Sequence, residues 1–256
     1  LVELELLKKF QETAEKHNIK YFALGGTLLG AVRHKGFISW DDDIDIYIPR
    51  VDYEVLINNF PQVYKGKYEI ISLERNSLWE RPYAKAYDNT TIFDEYSNNS
   101  ITIGVNIDIF PIDDVPLGEE WIRYNRKRRF YQSLFGLKFI KTSNRRSLFK
   151  NVVIILFRSF FFCYSRRKWA EYLSTLSQHF NGKGYEFCFE CCLGMLQKNP
   201  FQKALFDHLI CIPFENRVYQ AFADYDNYLK NGYGDYMQLP PEEKRVSHHA
   251  FKAYWK

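Results

Sequence analysis

A nine-residue stretch of the chain, residues 40–48, alternates carboxylates with isoleucines and constrains everything around it. Successive side chains of a strand point to opposite faces of its sheet. As a strand, this stretch would place Asp41, Asp43 and Asp45 on one face and its isoleucines in the core, with Asp42 pointing away from the other aspartates. Neighbouring carboxylates repel one another, so cations must neutralise such a row. Mg²⁺, with Mn²⁺ as an alternative, suits oxygen ligands of this kind.

A pair of glycines precedes the aspartates. Residues 21–24 are β-prone, and Gly25 and Gly26 predict a tight turn that a ligand can approach closely, since neither carries a Cβ. Thr27 is the predicted N-cap of a short helix that extends to Ala31. The N–H groups at the start of that helix would face the space over the turn. The sequence therefore predicts an anion site formed by the glycines and Thr27.

A later stretch, residues 101–110, alternates in the same way and carries one more carboxylate. Its isoleucines and its valine would lie on one face, and Asp108 on the other. We expect this strand to lie beside the first, so that Asp108 approaches Asp43 and Asp45. Asp108 would then bind the metal or act as a general base, and the sequence leaves both roles open.

Three blocks of sequence together resemble the LicD family of phosphotransferases. They are GGTLLGAVRHKGFISWDDDIDIYIPRVDYE, NIDIFPIDDVP and YGDYMQLPPEEKRVSHH. More broadly, the glycine pair and the separated aspartates resemble the nucleotidyltransferase superfamily, whose members bind Mg²⁺ and a nucleoside phosphate. The resemblance covers most of the chain but not residues 121–200. It implies an α+β fold in which a nucleotidyltransferase-like mixed sheet is flanked by helices.

The resemblance implies Mg²⁺-dependent transfer of a phospho-alcohol from a CDP-alcohol to a sugar hydroxyl, with release of CMP. CDP-choline is the first donor it suggests. The acceptor would be a cell-surface glycan or its lipid-linked precursor, such as teichoic acid, lipopolysaccharide or capsule. The residues implied in metal binding and catalysis are Asp43, Asp45 and Asp108. Those implied in substrate binding are Gly25, Gly26, Thr27, Arg33, His34, Lys35, Trp40, Asp41 and Lys85.

Some of these side chains have a structural alternative. Trp40 could stack on the cytosine or brace its own loop. Lys85, and with it Asp88, could face the substrate or belong to a salt-bridged surface. Arg50 and Asp52 also match the first block, and we expect them to hold the aspartate strand against the helix that follows it.

Two rival functions would use the same residues. A nucleotidyltransferase would move a nucleoside monophosphate, instead of the alcohol phosphate, to a small molecule or to RNA. A noncatalytic adaptor would keep the fold and bind a membrane surface, but a cluster of carboxylates has no evident use there.

The chain divides into three predicted parts. Residues 1–120 form the catalytic core, residues 121–212 a basic, aromatic-rich helical insertion, and residues 213–256 a segment that packs back on the core. A first helix of the core is predicted from apolar residues at helical spacing, namely Leu4, Leu7, Phe10 and Ala14. A helix capped by Asp52 is expected to end at Pro61, and a C-terminal helix is predicted from Ala221 to Lys230.

The formal net charge of +4 conceals a strong asymmetry. Residues 121–170 contain 14 Lys and Arg but no Asp or Glu, which leaves 21 basic and 31 acidic residues elsewhere. This basic part also contains an apolar run, residues 152–164, that is shorter than the roughly 20 residues needed to cross a bilayer. The run could lie on an anionic membrane surface, or it could be a buried helix of the insertion.

Nucleic acid is another partner that basic residues among aromatics can bind. A long apolar run suits lipid better than a polynucleotide groove, so we expect nucleic acid not to be the partner. The sequence predicts a cytoplasmic protein that is peripheral at the inner face of the cell membrane.

Five cysteines, an odd number, do not suggest a secreted disulfide scaffold. Three of them, Cys188, Cys191 and Cys192, have a spacing that could bind zinc, but no second cysteine pair follows. We expect them to pack on an apolar helix face in a reducing compartment, with zinc as the alternative.

Overall fold

The computed structural model describes residues 2–41, 43–63, 66–94, 100–139, 147–160, 164–193, 199–246 and 251–256. Helices surround a mixed β-sheet, which confirms the predicted α+β class. The helices are α1 Val2–Lys16, α2 Gly25–Arg33, α3 Arg50–Val63, α4 Gly118–Leu137, α5 Leu148–Phe160, α6 Arg166–Ser177 and α7 Tyr225–Tyr233. The strands are β1 Phe22–Ala23, β2 Asp45–Pro49, β3 Tyr68–Ile71, β4 Ala84–Asp88, β5 Thr91–Asp94, β6 Asn106–Val115, β7 Phe187–Phe189, β8 Phe201–Gln202, β9 Leu209–Phe214, β10 Arg217–Phe222 and β11 Lys252–Trp255.

The main sheet has the strand order β1-β2-β6-β4-β3. Its central strands β2 and β6 run parallel, while β1, β4 and β3 join as antiparallel strands. The far end of β6 also pairs with β7, so a strand from the predicted insertion extends the sheet of the core. The three-part division of the chain stays a prediction.

The isoleucines of the aspartate stretch form the centre of the core, as predicted. Ile44, Ile46 and Ile48 are fully buried. The strand itself is shorter than expected, because β2 begins only at Asp45. Asp41 instead forms an isolated bridge with Ile38, so it reaches the other aspartates from a turn and not from the strand.

The helix that follows β2 differs from the prediction at both ends. It begins at Arg50 and continues through Pro61 to Val63. Proline near a helix end forfeits one backbone hydrogen bond, and Phe60, which is fully buried, holds this turn on the core. Asp52 lies within the first turn, where its carboxylate accepts a hydrogen bond from the Lys20 backbone N–H at 3.1 Å.

Arg50 anchors α3 to the sheet, but through β6 and not through the expected aspartate strand β2. Its guanidinium donates to both carboxylate oxygens of Asp113 on β6, at 2.8 and 2.7 Å. Both side chains are buried, and Asn181 donates a further hydrogen bond to Asp113. This bidentate ion pair holds the C-terminal end of β2 and the start of α3 against β6.

Other boundaries shift by several residues. The first helix buries Leu7, Phe10 and Ala14 as predicted. The strand expected over residues 101–110 begins at Asn106 instead. The predicted C-terminal helix begins only at Tyr225, because Ala221 and Phe222 end strand β10.

The cysteines of the CxxCC stretch do not lie on a helix, which corrects that expectation. Cys188 is on β7, and Cys191 and Cys192 follow in the next loop. All three thiols are buried, and burial raises the pKa of each. Cys188 Sγ lies 3.5 Å from the carbonyl oxygen of Phe201, so this thiol on β7 packs against β8. Zinc binding by these cysteines stays an alternative prediction.

Candidate active site

Asp45 and Asp108 occupy directly opposed positions on the parallel strands β2 and β6. The Asp108 backbone N–H donates to the Ile44 carbonyl at 3.0 Å, which locks this register. Opposed residues of neighbouring strands point to the same face of the sheet. The predicted approach of Asp108 to the first aspartate stretch is therefore present.

The carboxylates crowd one another strongly. The pKa of Asp45 is raised well above its usual value, chiefly by burial and then by the negative charges of Asp43, Asp108 and Asp41. The positive charge of Lys85 lowers this pKa, but by less than the other contributions raise it. The four aspartates thus form one electrostatic cluster with an excess of negative charge.

Lys85 extends this row onto a third strand. It stands opposite Asp108 in the antiparallel pairing of β4 with β6. Its ammonium lies 2.7 Å from Asp108 Oδ1 and donates to Asn106 Oδ1 at 2.8 Å. Lys85 is therefore salt-bridged, as one of its two alternatives expected, but it is buried in the aspartate cluster and not on a solvated surface, and its contact with substrate stays a prediction. Asp88, by contrast, is buried and holds the turn after β4 by accepting hydrogen bonds from Thr90.

Helix α2 lies over the aspartates, but its start differs from the prediction. The N-cap residue is Leu24, and the helix begins at Gly25 and not after Thr27. Thr27 is buried inside the helix, and its hydroxyl accepts a hydrogen bond from the Asp45 backbone N–H at 2.9 Å. Thr27 therefore positions the aspartate strand and does not cap the helix.

The two glycines have separate roles. Gly25 adopts a φ of +56°, a left-handed conformation that favours glycine. Burial raises the pKa of the Tyr228 phenol, and a hydrogen bond from the Gly25 backbone N–H acts in the opposite direction. At Gly26, an added Cβ would overlap the Asp41 carboxylate. Glycine at this position lets Asp41 lie against the start of α2.

An open cleft of about 820 Å³ lies on the side of α2 and reaches the aspartate cluster at Asp41, whereas Asp43, Asp45 and Asp108 are not in its lining. Among the predicted residues, Gly26, Arg33, Trp40 and Asp41 line it. The opposite wall comes from residues 233–245 near the end of the chain. Substrate-sized space, carboxylates and a helix N-terminus thus meet at one place.

His34 and Lys35 occupy different positions from those expected. His34 accepts a hydrogen bond from Arg33 Nε at 3.3 Å and packs edge-on against Trp40. Burial, and then the charge of Arg33, lower the pKa of His34, which disfavours the charged imidazolium. Lys35 is exposed, does not line the cleft, and forms a turn through its φ of 62°. Neither side chain supplies positive charge to the cleft as it stands.

Within the described residues, no three Asp, Glu, His or Cys side chains are already arranged as a metal site. The donor chemistry still fits Mg²⁺, because this ion binds through one or two carboxylates and takes its other ligands from water and phosphate. The crowding around Asp45 is the kind of charge imbalance that such a cation relieves. Asp42 lies outside the described residues.

Residues 18–147 match the family described as "LicD/FKTN/FKRP, nucleotidyltransferase domain". The chain is also 32% identical to the lipopolysaccharide cholinephosphotransferase LicD of Haemophilus influenzae, over 99% of this chain and 96% of that protein. The chain belongs to the LicD family. This confirms the family suggested by the three sequence blocks.

Two more distant relatives match shorter parts. The ribitol 5-phosphate transferase FKRP of Mus musculus is 28% identical over 52% of this chain, which spans only 28% of FKRP. An uncharacterized protein of Rickettsia prowazekii is 46% identical over 71 residues, 28% of this chain and 26% of that protein.

The first and third blocks of this LicD family chain line the cleft, and the second joins the site through Asp108, which lies opposite Asp45. The first block forms α2, the aspartate turn and β2, and the second forms β6. The third supplies the opposite wall of the cleft, although its residues 247–249 lie outside the described part.

Sequence reasoning missed Tyr219 and Arg245 near the aspartates, whereas Tyr233 belongs to an aromatic segment that, by its sequence, could enclose a cationic group. Tyr219 donates from its hydroxyl to the Asp45 carbonyl at 3.1 Å. Burial, and then Asp41 and Asp45, raise the pKa of Tyr233 in the cleft wall. Arg245 lines the same cleft and lies in the third block, which was the one sequence signal that could have identified it.

Proposed function

We propose that this protein is a LicD-type phosphotransferase that moves phosphocholine from CDP-choline to a sugar hydroxyl of a lipopolysaccharide-type glycan and releases CMP. The choice of phosphocholine rests on the relative from Haemophilus influenzae, which matches almost the whole chain. FKRP, named for ribitol 5-phosphate transfer, matches about half of this chain, so ribitol phosphate is the next donor group to test.

The observation that carries the proposal is the opposed pair Asp45 and Asp108 beside the start of α2. A pyrophosphate-containing donor brings two negative phosphates, which carboxylates alone would repel. A divalent cation bound by the carboxylates would remove this repulsion. A helix N-terminus and an arginine would stabilise the negative charge that remains on the phosphates. The cleft supplies the last two features through α2 and Arg33.

Asp43, Asp45 and Asp108 are the residues proposed to hold Mg²⁺, or Mn²⁺ in its place. When bound, the ion would neutralise the charge of the donor pyrophosphate. Lys85 balances Asp108 through their 2.7 Å ion pair. A carboxylate bound to an ammonium is a weaker proton acceptor, which favours the ligand role of Asp108 over the general-base role.

The chain's own residues then orient the reaction. The acceptor hydroxyl oxygen forms a bond to the β-phosphorus of the donor, while the bond from that phosphorus to the CMP oxygen breaks. The hydroxyl proton passes to an aspartate of the cluster or to solvent. Arg33, fixed by the Tyr236 carbonyl at 2.9 Å, faces the cleft where charge builds on the departing CMP.

A double-label assay tests this proposal. CDP-choline is labelled in the choline in one sample and in the cytidine in another, and each is incubated with enzyme, Mg²⁺ and a lipopolysaccharide acceptor. The proposal expects the choline label, but not the cytidine label, in the glycan. Transfer of the cytidine label would instead establish the nucleotidyltransferase alternative.

We further propose that α5 holds the protein on an anionic membrane surface. No helix within the described parts of the chain is long and apolar enough to cross a membrane. The apolar side chains of α5 are nevertheless exposed, with Leu148 at 84%, Phe149 at 76% and Leu156 at 62% of full accessibility. Ile154 alone among its described side chains is buried.

This exposure supports the membrane-surface interpretation of the apolar run, since a buried helix would hide these side chains. Neighbouring helix α4 exposes the basic residues Arg123, Arg126, Lys127 and Arg129. Apolar side chains beside a basic helix are typical of a surface that enters the headgroup region of an anionic bilayer. A membrane position would bring the active site to a lipid-linked acceptor.

A further inference from the structure

Arg245 is a second cation of the active-site cleft. It lies in the C-terminal segment, more than two hundred residues after Arg33, yet both arginines line the same cleft. Burial lowers the pKa of Arg33, and the positive charge of Arg245 lowers it further, as expected for two guanidiniums that line one cleft.

One loop holds both guanidiniums in place. Arg33 Nη1 donates to the carbonyls of Tyr236 and Gln238, at 2.9 and 3.5 Å. Arg245 Nε donates to the Pro240 carbonyl at 2.8 Å. These bonds orient the arginines without neutralising them, because a carbonyl carries no net charge.

Most donors of the two side chains have no hydrogen-bond partner among the described residues. These donors are the N–H groups of Arg33 Nη2 and those of Arg245 Nη1 and Nη2. Neither arginine forms an ion pair with a described carboxylate. Two adjacent guanidiniums that keep their donors and their charge match the oxygens of a phosphate.

Trp40 completes the arrangement. The Arg245 guanidinium lies 5.8 Å from the centre of the Trp40 ring, within the range of a cation–π contact. Trp40 therefore supports an arginine, which agrees with a bracing role. A quaternary ammonium would be repelled from this end of the cleft by two positive charges.

We propose that Arg33 and Arg245 together form a phosphate-binding site for the donor, with Arg245 as a substrate-binding residue contributed by the C-terminal segment. The assignment to the donor rests on the proposed function, whereas the phosphate site itself does not. The acidic cluster would then lie on one side of the bound pyrophosphate and the arginine pair on the other.

The test measures binding of inorganic pyrophosphate by calorimetry in the presence of EDTA, so that no metal is needed. Arg245→Gln should weaken binding by about tenfold to a hundredfold, because it removes charged hydrogen bonds. Arg245→Lys should recover part of the affinity through its charge. Lys244→Gln is the matched control, since Lys244 is exposed, adjacent and outside the cleft lining, and its affinity should equal that of the wild type.

Equal affinities of wild type, Arg245→Gln and Lys244→Gln would overturn the proposal, as would equal weakening by both glutamine variants. Circular dichroism checks that each variant is folded. If Arg245→Gln does not fold, Arg245→Lys is compared with the wild type and with Lys244→Gln instead. A separate result, pyrophosphate binding that depends on Arg245 without turnover of any CDP-alcohol, would sink the proposed reaction but keep the phosphate site. With an active donor, Arg245→Gln should raise KM more than it lowers kcat.

Discussion

Lys85 Nζ lies 2.7 Å from Asp108 Oδ1. The two residues belong to a row across three strands, in which Asp108 on β6 lies between Asp45 on β2 and Lys85 on β4. The ammonium supplies positive charge to an acidic cluster that has an excess of negative charge. Lys85 and a divalent cation therefore compensate the same carboxylates, one permanently and the other with substrate.

Replacing Lys85 should make folding depend on metal. In EDTA, Lys85→Met should lower the free energy of unfolding by about 1.5–3 kcal/mol, because it leaves Asp108 without its charged partner. Mg²⁺ should restore more stability to this variant than to the wild type. Thermal unfolding with and without Mg²⁺ measures both effects, and Lys16→Met is the control because Lys16 is exposed on α1. An equal Mg²⁺ response in all three proteins would contradict this account.

Asp45→Asn should remove activity and stabilise the metal-free fold at the same time. Turnover should fall by roughly a hundredfold or more, as expected for loss of a preorganised charged group. The pKa of Asp45 is raised, so its ionised form opposes folding at neutral pH, and this penalty disappears as pH falls through the raised pKa. The variant should therefore unfold at a higher temperature in EDTA at pH 7, by about 2–4 °C per kcal/mol of repulsion removed.

Glu54→Gln provides the comparison for Asp45→Asn, since Glu54 is exposed on α3 and loses one charge in the same way. This control should retain activity and show no gain in unfolding temperature. A destabilised but active Asp45→Asn would show that Asp45 is a structural residue.

The ion pair of Arg50 with Asp113 should dominate the stability of the sheet's far end. Arg50→Met leaves a buried carboxylate without its partner and should cost about 3–5 kcal/mol in urea unfolding. The double variant Arg50→Met/Asp113→Leu removes both charges and should recover much of that loss. A double variant no more stable than Arg50→Met would argue against this electrostatic explanation.

Membrane binding should depend on the exposed face of α5. Phe149→Gln and Leu156→Gln keep helix-forming residues but remove apolar area, and together they should weaken binding to anionic vesicles by more than tenfold. Val51→Gln, an exposed apolar residue of α3, is the control and should bind like the wild type. Sedimentation with vesicles measures the effect.

Salt separates the electrostatic part of this binding. Raising the ionic strength should weaken vesicle binding of the wild type, because screening reduces attraction to the basic residues of α4. Binding to neutral vesicles as strong as to anionic ones would contradict the proposed surface.

Local patterns predicted the centre of the fold and site. The alternation around Ile44, Ile46 and Ile48 depends only on strand geometry, and it correctly placed Asp45 and Asp108 on one face. Strand order and register come from tertiary packing. The partnership of Asp108 with Lys85, and that of Thr27 with Asp45, could not be derived from spacing alone.

Errors arose where tertiary contacts overrode local preferences. Pro61 predicts a helix end, but the buried Phe60 keeps its turn helical. Thr27 is a good capping residue, yet its hydroxyl serves the neighbouring strand. Arg245 reaches the cleft because the C-terminal segment packs against α2. Hydrophobic periodicity predicts helices and strands, but it does not predict such long-range packing.

The measurement that tests the central claim most directly is the rate of CMP release from CDP-choline by the wild type and by Asp108→Asn, each with Mg²⁺ and with EDTA. We predict CMP release only by the wild type with Mg²⁺, since Asp45 and Asp108 act together on the donor. CTP and ATP run beside it as alternative substrates. Pyrophosphate release from either nucleotide, with no CMP from any CDP-alcohol, would contradict phospho-alcohol transfer.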